Sequence, residues 1–389
     1  MTFDAEPMRD AERSATPPRP GSRWRLSTFC DGRDNNFNLI RMVAAACVIV
    51  SHAFPITLGS GALEPLEAST GHKLGWIAVA VFFAVSGFLI TRSFDRTSRL
   101  SRWIAARVMR LFPGLAVVLV LTAGLYGPAL TTLETSAYFA RAETYSYIPR
   151  NLSLAFLQFE LPGVLTNTPF PGAINGSLWT LVHEVACYFA VFLLGVCGAL
   201  RSRRGFLLFC AAYLAIFMVT MFPAIEAQLP AKLLAFRDLS YPFVLGMMLY
   251  HWREKIVLSW IAVAILAVLT AAIRGTFVYD LVFVATIAYT AFVLAYRVGG
   301  TVRQYNRLGD YSYGLYIYGF PVQQAVVALG WSDGPVENMM IAFPIALGLA
   351  ILSWHLVEHP ALERRNRVAD WFGRGPGTTA AQCEGVERA

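Results

Sequence analysis

Residues 37–58 read Phe37-Asn-Leu-Ile-Arg41-Met-Val-Ala-Ala-Ala-Cys-Val-Ile-Val-Ser-His52-Ala-Phe-Pro-Ile-Thr-Leu58, an apolar stretch interrupted by one arginine and one histidine. As a helix it is long enough to cross a hydrocarbon core of about 30 Å. Arg41 and His52 stand eleven positions apart, which is three helical turns plus about 20°, so they share one face roughly 16 Å apart in height. Ionisable side chains inside a span are costly and by default mark a functional site. Histidine is also the side chain best suited to move a proton near neutral pH. The bland alternative is an arginine that snorkels from the helix end and a histidine bonded to a neighbouring helix. Arg41 is close enough to its end for that; His52, about six residues from the other end, is too deep for bulk water. The pair therefore reads as a site.

The rest of the chain repeats the apolar stretch. Of 389 residues, 56% are hydrophobic and 15% charged, where a soluble domain carries about a quarter charged. The expected fold is an all-α integral membrane protein of about ten transmembrane helices, at 37–58, 74–94, 110–130, 177–199, 205–224, 238–252, 256–273, 278–296, 311–330 and 338–358. With the N-terminus in the cytoplasm, inside segments hold 25 of the 32 Lys and Arg and outside loops 6, Arg41 lying within a span. That asymmetry follows the positive-inside rule and puts both termini in the cytoplasm. It also accounts for the net charge of +7 without nucleic acid as a partner. Residues 1–34 lack an apolar core, so no cleavable signal peptide is expected. They and residues 366–389 read as flexible cytoplasmic tails around a membrane domain at 35–365. Six cysteines without a C-x-x-C pair indicate neither a disulfide framework nor a thiolate zinc site.

Three further constellations carry chemistry. Glu184 enters the fourth span about 10 Å below its outer start, the depth of His52 below the outer end of the first. A carboxylate within reach of an imidazole fixes its tautomer, as general-base catalysis wants; the alternative is pairing with His183 or a distant arginine as structural glue. Arg107 and Arg110, three apart on one face where the third helix enters the membrane before Pro113, would make a bidentate clamp for phosphates, or else serve only as topology signals. His355-Leu-Val-Glu-His359 matches a zinc-peptidase pattern, but it closes an apolar span and is followed at once by Pro360. No metal is expected there, and Glu358 is expected to pair with an inner-loop arginine. The long outside loop, about 131–176 and rich in aromatics and proline, reads as a binding cover.

Together these residues resemble the acyltransferase 3 family, membrane O-acyltransferases that include O-antigen and exopolysaccharide O-acetylases. The family's arginine and histidine with ten residues between them are matched by Arg41 and His52, and its Phe-Phe-x-x-Ser-Gly-Phe-Leu segment by Phe82 to Leu89. Arg-x-x-Arg before a proline is matched by Arg107, Arg110 and Pro113, and Ser-Leu-Trp-Thr-Leu-x-x-Glu-x-x-x-Tyr by Ser177 to Tyr188. Ser312, Tyr313 and Tyr316 match the Ser-Tyr-x-x-Tyr block, and Glu358 and Pro360 the closing Glu-x-Pro. Two positions depart from the pattern. Asn38 stands where an aspartate usually precedes the arginine by three, and Gly319 stands where a histidine commonly precedes the last proline of the ninth span.

The resemblance, over roughly residues 35–365, implies an O-acyltransferase of the bacterial inner membrane, with acetyl the expected group. It implies acyl-CoA (acetyl-CoA) as cytoplasmic donor substrate and a glycan or lipid-linked sugar as acceptor at the outer face. Self-association as a homo-oligomer is left open. His52, Arg41 and Glu184 are then the candidate catalytic residues, Arg107 and Arg110 the donor clamp, and Ser86, Trp179 and Tyr316 the candidate substrate-binding side chains. The rival from another class is a transporter exporting an anionic or glycosyl solute, which would favour charged or broken helices at mid-membrane and repeat symmetry. Neither is visible in the sequence.

Overall fold

The structure is a computed structural model, and it describes residues 24–30, 32 and 34–373. Described residues form helices and loops, with isolated bridges in place of strands. We number the helices of eight or more residues, setting aside one 3-10 segment. They are α1 Phe37–Leu58, α2 Leu74–Arg96, α3 Leu100–Leu121, α4 Ala142–Ser153, α5 Leu178–Val196 and α6 Arg203–Thr220. They continue as α7 Ala231–His251, α8 Trp260–Ala272, α9 Tyr279–Arg297, α10 Ser312–Ala328, α11 Pro335–Ser353 and α12 Arg365–Gly373. Seven helical stretches are long and apolar enough to cross a membrane: α1, α2, α3 with its extension to Leu130, α5, α6, α9, and α11 with its extension to Glu363. The remaining three expected segments are helical but fall outside that set. α8 and α10 are short, and α7 carries Lys232, Arg237 and Asp238 in its first half.

Two helices form the centre, and their sequences say why. α10 is buried on every side, its tyrosines, Phe320, Gln323 and Gln324 included. α2 is the most enclosed of the seven long stretches, at 61% buried against 17% for α6 at the rim. α2 meets α7 backbone to backbone. A Cβ on Gly87 would stand 1.9 Å from the Phe243 carbonyl oxygen, and one on Gly246 would stand 2.0 Å from that of Ala84. Small residues at a helix crossing allow this approach, which gives Gly87 of the Phe82–Leu89 segment a packing function. The outward faces of α6 and α8 carry exposed Leu208, Ile216, Ile261 and Val268, the apolar surface that lipid would cover.

The sequence placed several boundaries too late. α3 begins at Leu100 rather than 110, because arginines are good helix formers even where they are poor membrane residues. Residues 24–30 and 366–373, read as parts of tails, are structured. Leu26 is fully buried and its amide bonds the Ile256 carbonyl, and α12 packs on α3. Residues 1–23, 31, 33 and 374–389, Cys383 included, lie outside the described residues. The loop at 131–176 contains two helices, Thr135–Ala140 and α4, anchored by the buried Tyr138 and Tyr147. The Gln324 amide of α10 donates to the Phe170 and Ala173 carbonyls and ties the loop down over α10.

Candidate active site

At the arginine-rich end, four charged side chains from four parts of the chain close one network. Arg41 Nη1 donates to Asp310 Oδ2 at 2.6 Å, and Arg110 Nη2 reaches the same oxygen at 2.5 Å. Arg110 Nη1 also donates to Glu358 Oε2 at 3.1 Å, whose other oxygen accepts from Ser353. Two cations thus face two anions, the balance that buried charge requires. Burial alone would raise the pKa of Asp310, which lies just before α10. Arg110 and Arg41, with two hydrogen bonds from Ser312, instead hold it down to about 2. Glu358 takes the arginine partner expected of it. The other members of the zinc-like pattern turn elsewhere, His355 to Tyr311 and His359 towards Glu363.

Beside this network a cavity of about 570 Å³ opens at the same end, with Thr97, Ser98, Arg102 and Arg365 among its lining residues. Arg41, Arg96, Arg107 and Arg110 line it too, and Ser86, Glu184 and Tyr188 complete its polar wall. The two arginines of the expected clamp have different surroundings. Arg110 is committed to Asp310 and Glu358. Arg107 bonds Ser93 Oγ at 3.1 Å, lies over the Trp103 ring at 5.4 Å, and has no carboxylate partner among the described residues. Arg107 therefore keeps charge available for an anion, whereas Arg110 serves mainly as a strut.

Glu184 does not meet His52. Its Oε1 accepts a hydrogen bond from Ser86 at 3.2 Å and a shorter one from Tyr188, four residues further along α5. Helix counting put the two at equal depth, but depth carries no azimuth, and α5 turns Glu184 towards Arg41 and Arg107 instead. A second, small cavity of about 30 Å³ shares Arg41, Glu184 and Tyr313 with the large one and extends it. Its far side is closed by Tyr316, whose hydroxyl lies 2.5 Å from that of Thr180.

His52 lines neither cavity. Its half-buried ring stands edge-on to Phe320, centroids 5.0 Å apart at 76°, and makes no hydrogen bond among the described residues. Phe320 lies one turn beyond Tyr316, so one face of α10 lines the small cavity and then packs against His52 of α1. Next to His52, Ser51 donates to Glu64 and accepts from the Gly75 amide at 2.8 Å; Glu64 in turn accepts from Lys73 at 2.9 Å. Hydrogen bonding to Glu64 raises the Lys73 pKa. Trp179 stands apart: it is 38% exposed, packs edge-on to His183, and lines neither cavity.

Sequence reasoning missed Asp310, Tyr188, Thr180 and the Ser51–Glu64–Lys73 chain. Tyr188 and Thr180 were legible as members of the Ser177–Tyr188 block. Asp310 gave no signal beyond being an acid next to a buried helix.

Residues 34–357 match the acyltransferase 3 family profile, described as an acyltransferase domain. The chain is 30% identical over 339 residues to an "O-acetyl transferase" of Shigella phage Sf6, covering 85% of this chain and 97% of the relative. It is 28% identical over 366 residues to "Nodulation protein 10" of Rhizobium leguminosarum bv. viciae, covering 87% and 95%. No solved structure matches it. A largely buried arginine–carboxylate network, an arginine-lined cavity beside it, and a family match over most of the chain agree: this protein belongs to the acyltransferase 3 family of membrane acyltransferases.

Proposed function

We propose that the protein moves an acetyl group from acetyl-CoA, entering from the cytoplasm, to a hydroxyl of a cell-surface glycan or lipid-linked sugar. The observation that carries this reading is the arginine-lined cavity of about 570 Å³ that narrows past Glu184 into the small cavity beside Arg41. Its charge suits a donor with phosphates at one end and a neutral thioester at the other. In this reading the membrane domain spans residues 35–365 of a bacterial inner-membrane protein with ten crossings. Both tails are cytoplasmic, and the cavity mouth faces the cytoplasm with the Lys and Arg excess.

Arg107, with the other arginines of the mouth, holds the donor phosphates. Arg110 keeps Asp310 and Glu358 in place. Arg41, steadied by Asp310 and lying 5.8 Å over the Phe82 ring, faces the thioester and stabilises negative charge developing on its oxygen. His52 takes the proton of the acceptor hydroxyl as that oxygen bonds the acyl carbon; the carbon–sulfur bond then breaks, and the CoA thiolate accepts the proton. Ser86 and Tyr316 act on the donor side, and Glu184 belongs to the donor cavity. Acceptor and donor meet across the Tyr316–Phe320 face of α10.

The test is acyl transfer in inverted membrane vesicles supplied with radiolabelled acetyl-CoA, together with mass spectrometry of surface glycans from cells with and without the protein. The expected results are label in a glycan or lipid-linked sugar and one acetyl group per modified unit. His52→Ala should insert and fold yet lose roughly 10²–10⁴-fold in rate. Normal transfer by a well-expressed His52→Ala protein would remove the base assignment.

A further inference from the structure

The small cavity beyond Glu184 has dimensions that bear on the acyl group itself. It holds about 30 Å³, room for about two water-sized spheres. Its polar lining is Arg41, Glu184, Thr180, Tyr313 and Tyr316, and its apolar lining is Val79, Phe82, Phe83 and Leu181. A pocket with a guanidinium and hydroxyls along one side and hydrocarbon along the other suits a carbonyl against the first and a short alkyl group against the second.

The wall has little freedom to give way. Phe82 is held between Tyr316, edge-on at 5.7 Å, and the Arg41 guanidinium at 5.8 Å. Arg41 is fixed by Asp310 and Tyr316 by Thr180. Phe83 and Leu181 are 4% and 3% exposed. Packed interiors of this kind resist the insertion of even one methylene.

We propose that this cavity, through Val79, Phe82 and Leu181, sets the length of the transferred acyl group, admitting the methyl of acetyl and excluding chains of four carbons or more. The proposal rests on the acyl-CoA reading above. It adds which residues measure the acyl chain, and places the measuring site about one helical turn from Glu184, since Thr180 and Leu181 precede it on α5.

The experiment compares acetyl-, propionyl- and butyryl-CoA as donors in the vesicle assay, for the parent protein and for Leu181→Ala, Val79→Ala and Val79→Phe. One methylene in an apolar pocket discriminates by roughly 10–200-fold, so the parent should favour acetyl over butyryl by about 100-fold or more. Leu181→Ala and Val79→Ala should each raise the butyryl-to-acetyl ratio of kcat/KM by about 10-fold or more. Val79→Phe should depress acetyl transfer through kcat while donor binding persists. A parent that transfers butyryl as readily as acetyl overturns the pocket assignment whatever the variants do. An unchanged ratio in both alanine variants, with transfer retained, overturns it as well. Absence of transfer from every acyl-CoA by the intact protein would instead overturn the functional reading, and this proposal with it.

Discussion

Asp310→Asn isolates what holds the basic end together. The substitution keeps size and most hydrogen-bonding capacity but removes the charge on which Arg41 and Arg110 converge. Arg110 retains Glu358; Arg41 loses its only carboxylate partner among the described residues. Two routes give the size of the effect. A carboxyl held near 2 rather than its ordinary 3.8 corresponds to about 2 kcal/mol of stability. Leaving a buried ion pair with one uncompensated member costs roughly 3–5 kcal/mol. The second figure is larger because it includes the stranded arginine, whereas the first compares only two protonation states of Asp310. The variant should therefore lose about 2–5 kcal/mol, which a thermal unfolding series in detergent reads as a Tm lower by several degrees. Linkage adds a sign. The folded pKa is depressed, so the contribution is complete above about pH 4 and fades as pH falls towards 2. The gap between parent and variant should thus close on acidification. A Tm within one degree of the parent at neutral pH, or a gap that widens in acid, would refute the network as a stabilising element.

The two clamp arginines should separate. Arg107→Lys should weaken acetyl-CoA binding severalfold with Tm unchanged, and Arg110→Lys should lower Tm first, because only Arg110 is bound into the carboxylate network; equal effects on both measures would reject the distinction. Gly246→Ala places a methyl carbon 2.0 Å from a backbone oxygen that cannot rotate away, so folded yield should collapse. Gly124→Ala, with nothing within 4 Å of the new Cβ, should leave yield unchanged. Glu184→Gln should raise the KM for acetyl-CoA and leave the acid limb of the pH–rate profile where it was, since Glu184 bonds Ser86 and Tyr188 rather than His52. A shifted acid limb would restore the pairing that the structure does not contain.

How far these features could be read from sequence depends on whether the signal is local. Apolar length is local, so α1 was placed to the residue, and α2, α9 and α10 to within two at either end. Helix starts that carry arginine or lysine were missed by up to ten residues, because hydropathy measures solvent preference and a helix need not stop where the membrane does. The arginine-lined end was legible for the same reason: Arg41, Arg107 and Arg110 lie on helix faces that periodicity fixes, and one cavity collects them. Azimuth between helices is not local. Glu184 and His52 agree in depth and differ in direction, which counting residues along a span cannot reveal.

Asp310 shows the same limit from the other side. The family's usual aspartate three residues before the arginine would sit on the face of α1 that carries Arg41. With Asn38 in its place the helix offers no anion of its own. A buried guanidinium still needs a counter-charge, so one must come from elsewhere in the fold, and Asp310 supplies it 269 positions away in sequence. The same oxygen also takes Arg110, so a single carboxylate joins the start of α1, the middle of α3 and the entry to α10. Asp310 therefore couples the arginine of the site to the helix that carries Tyr316 and Phe320. Movement of α10 would shift Arg41 and the floor of the small cavity together.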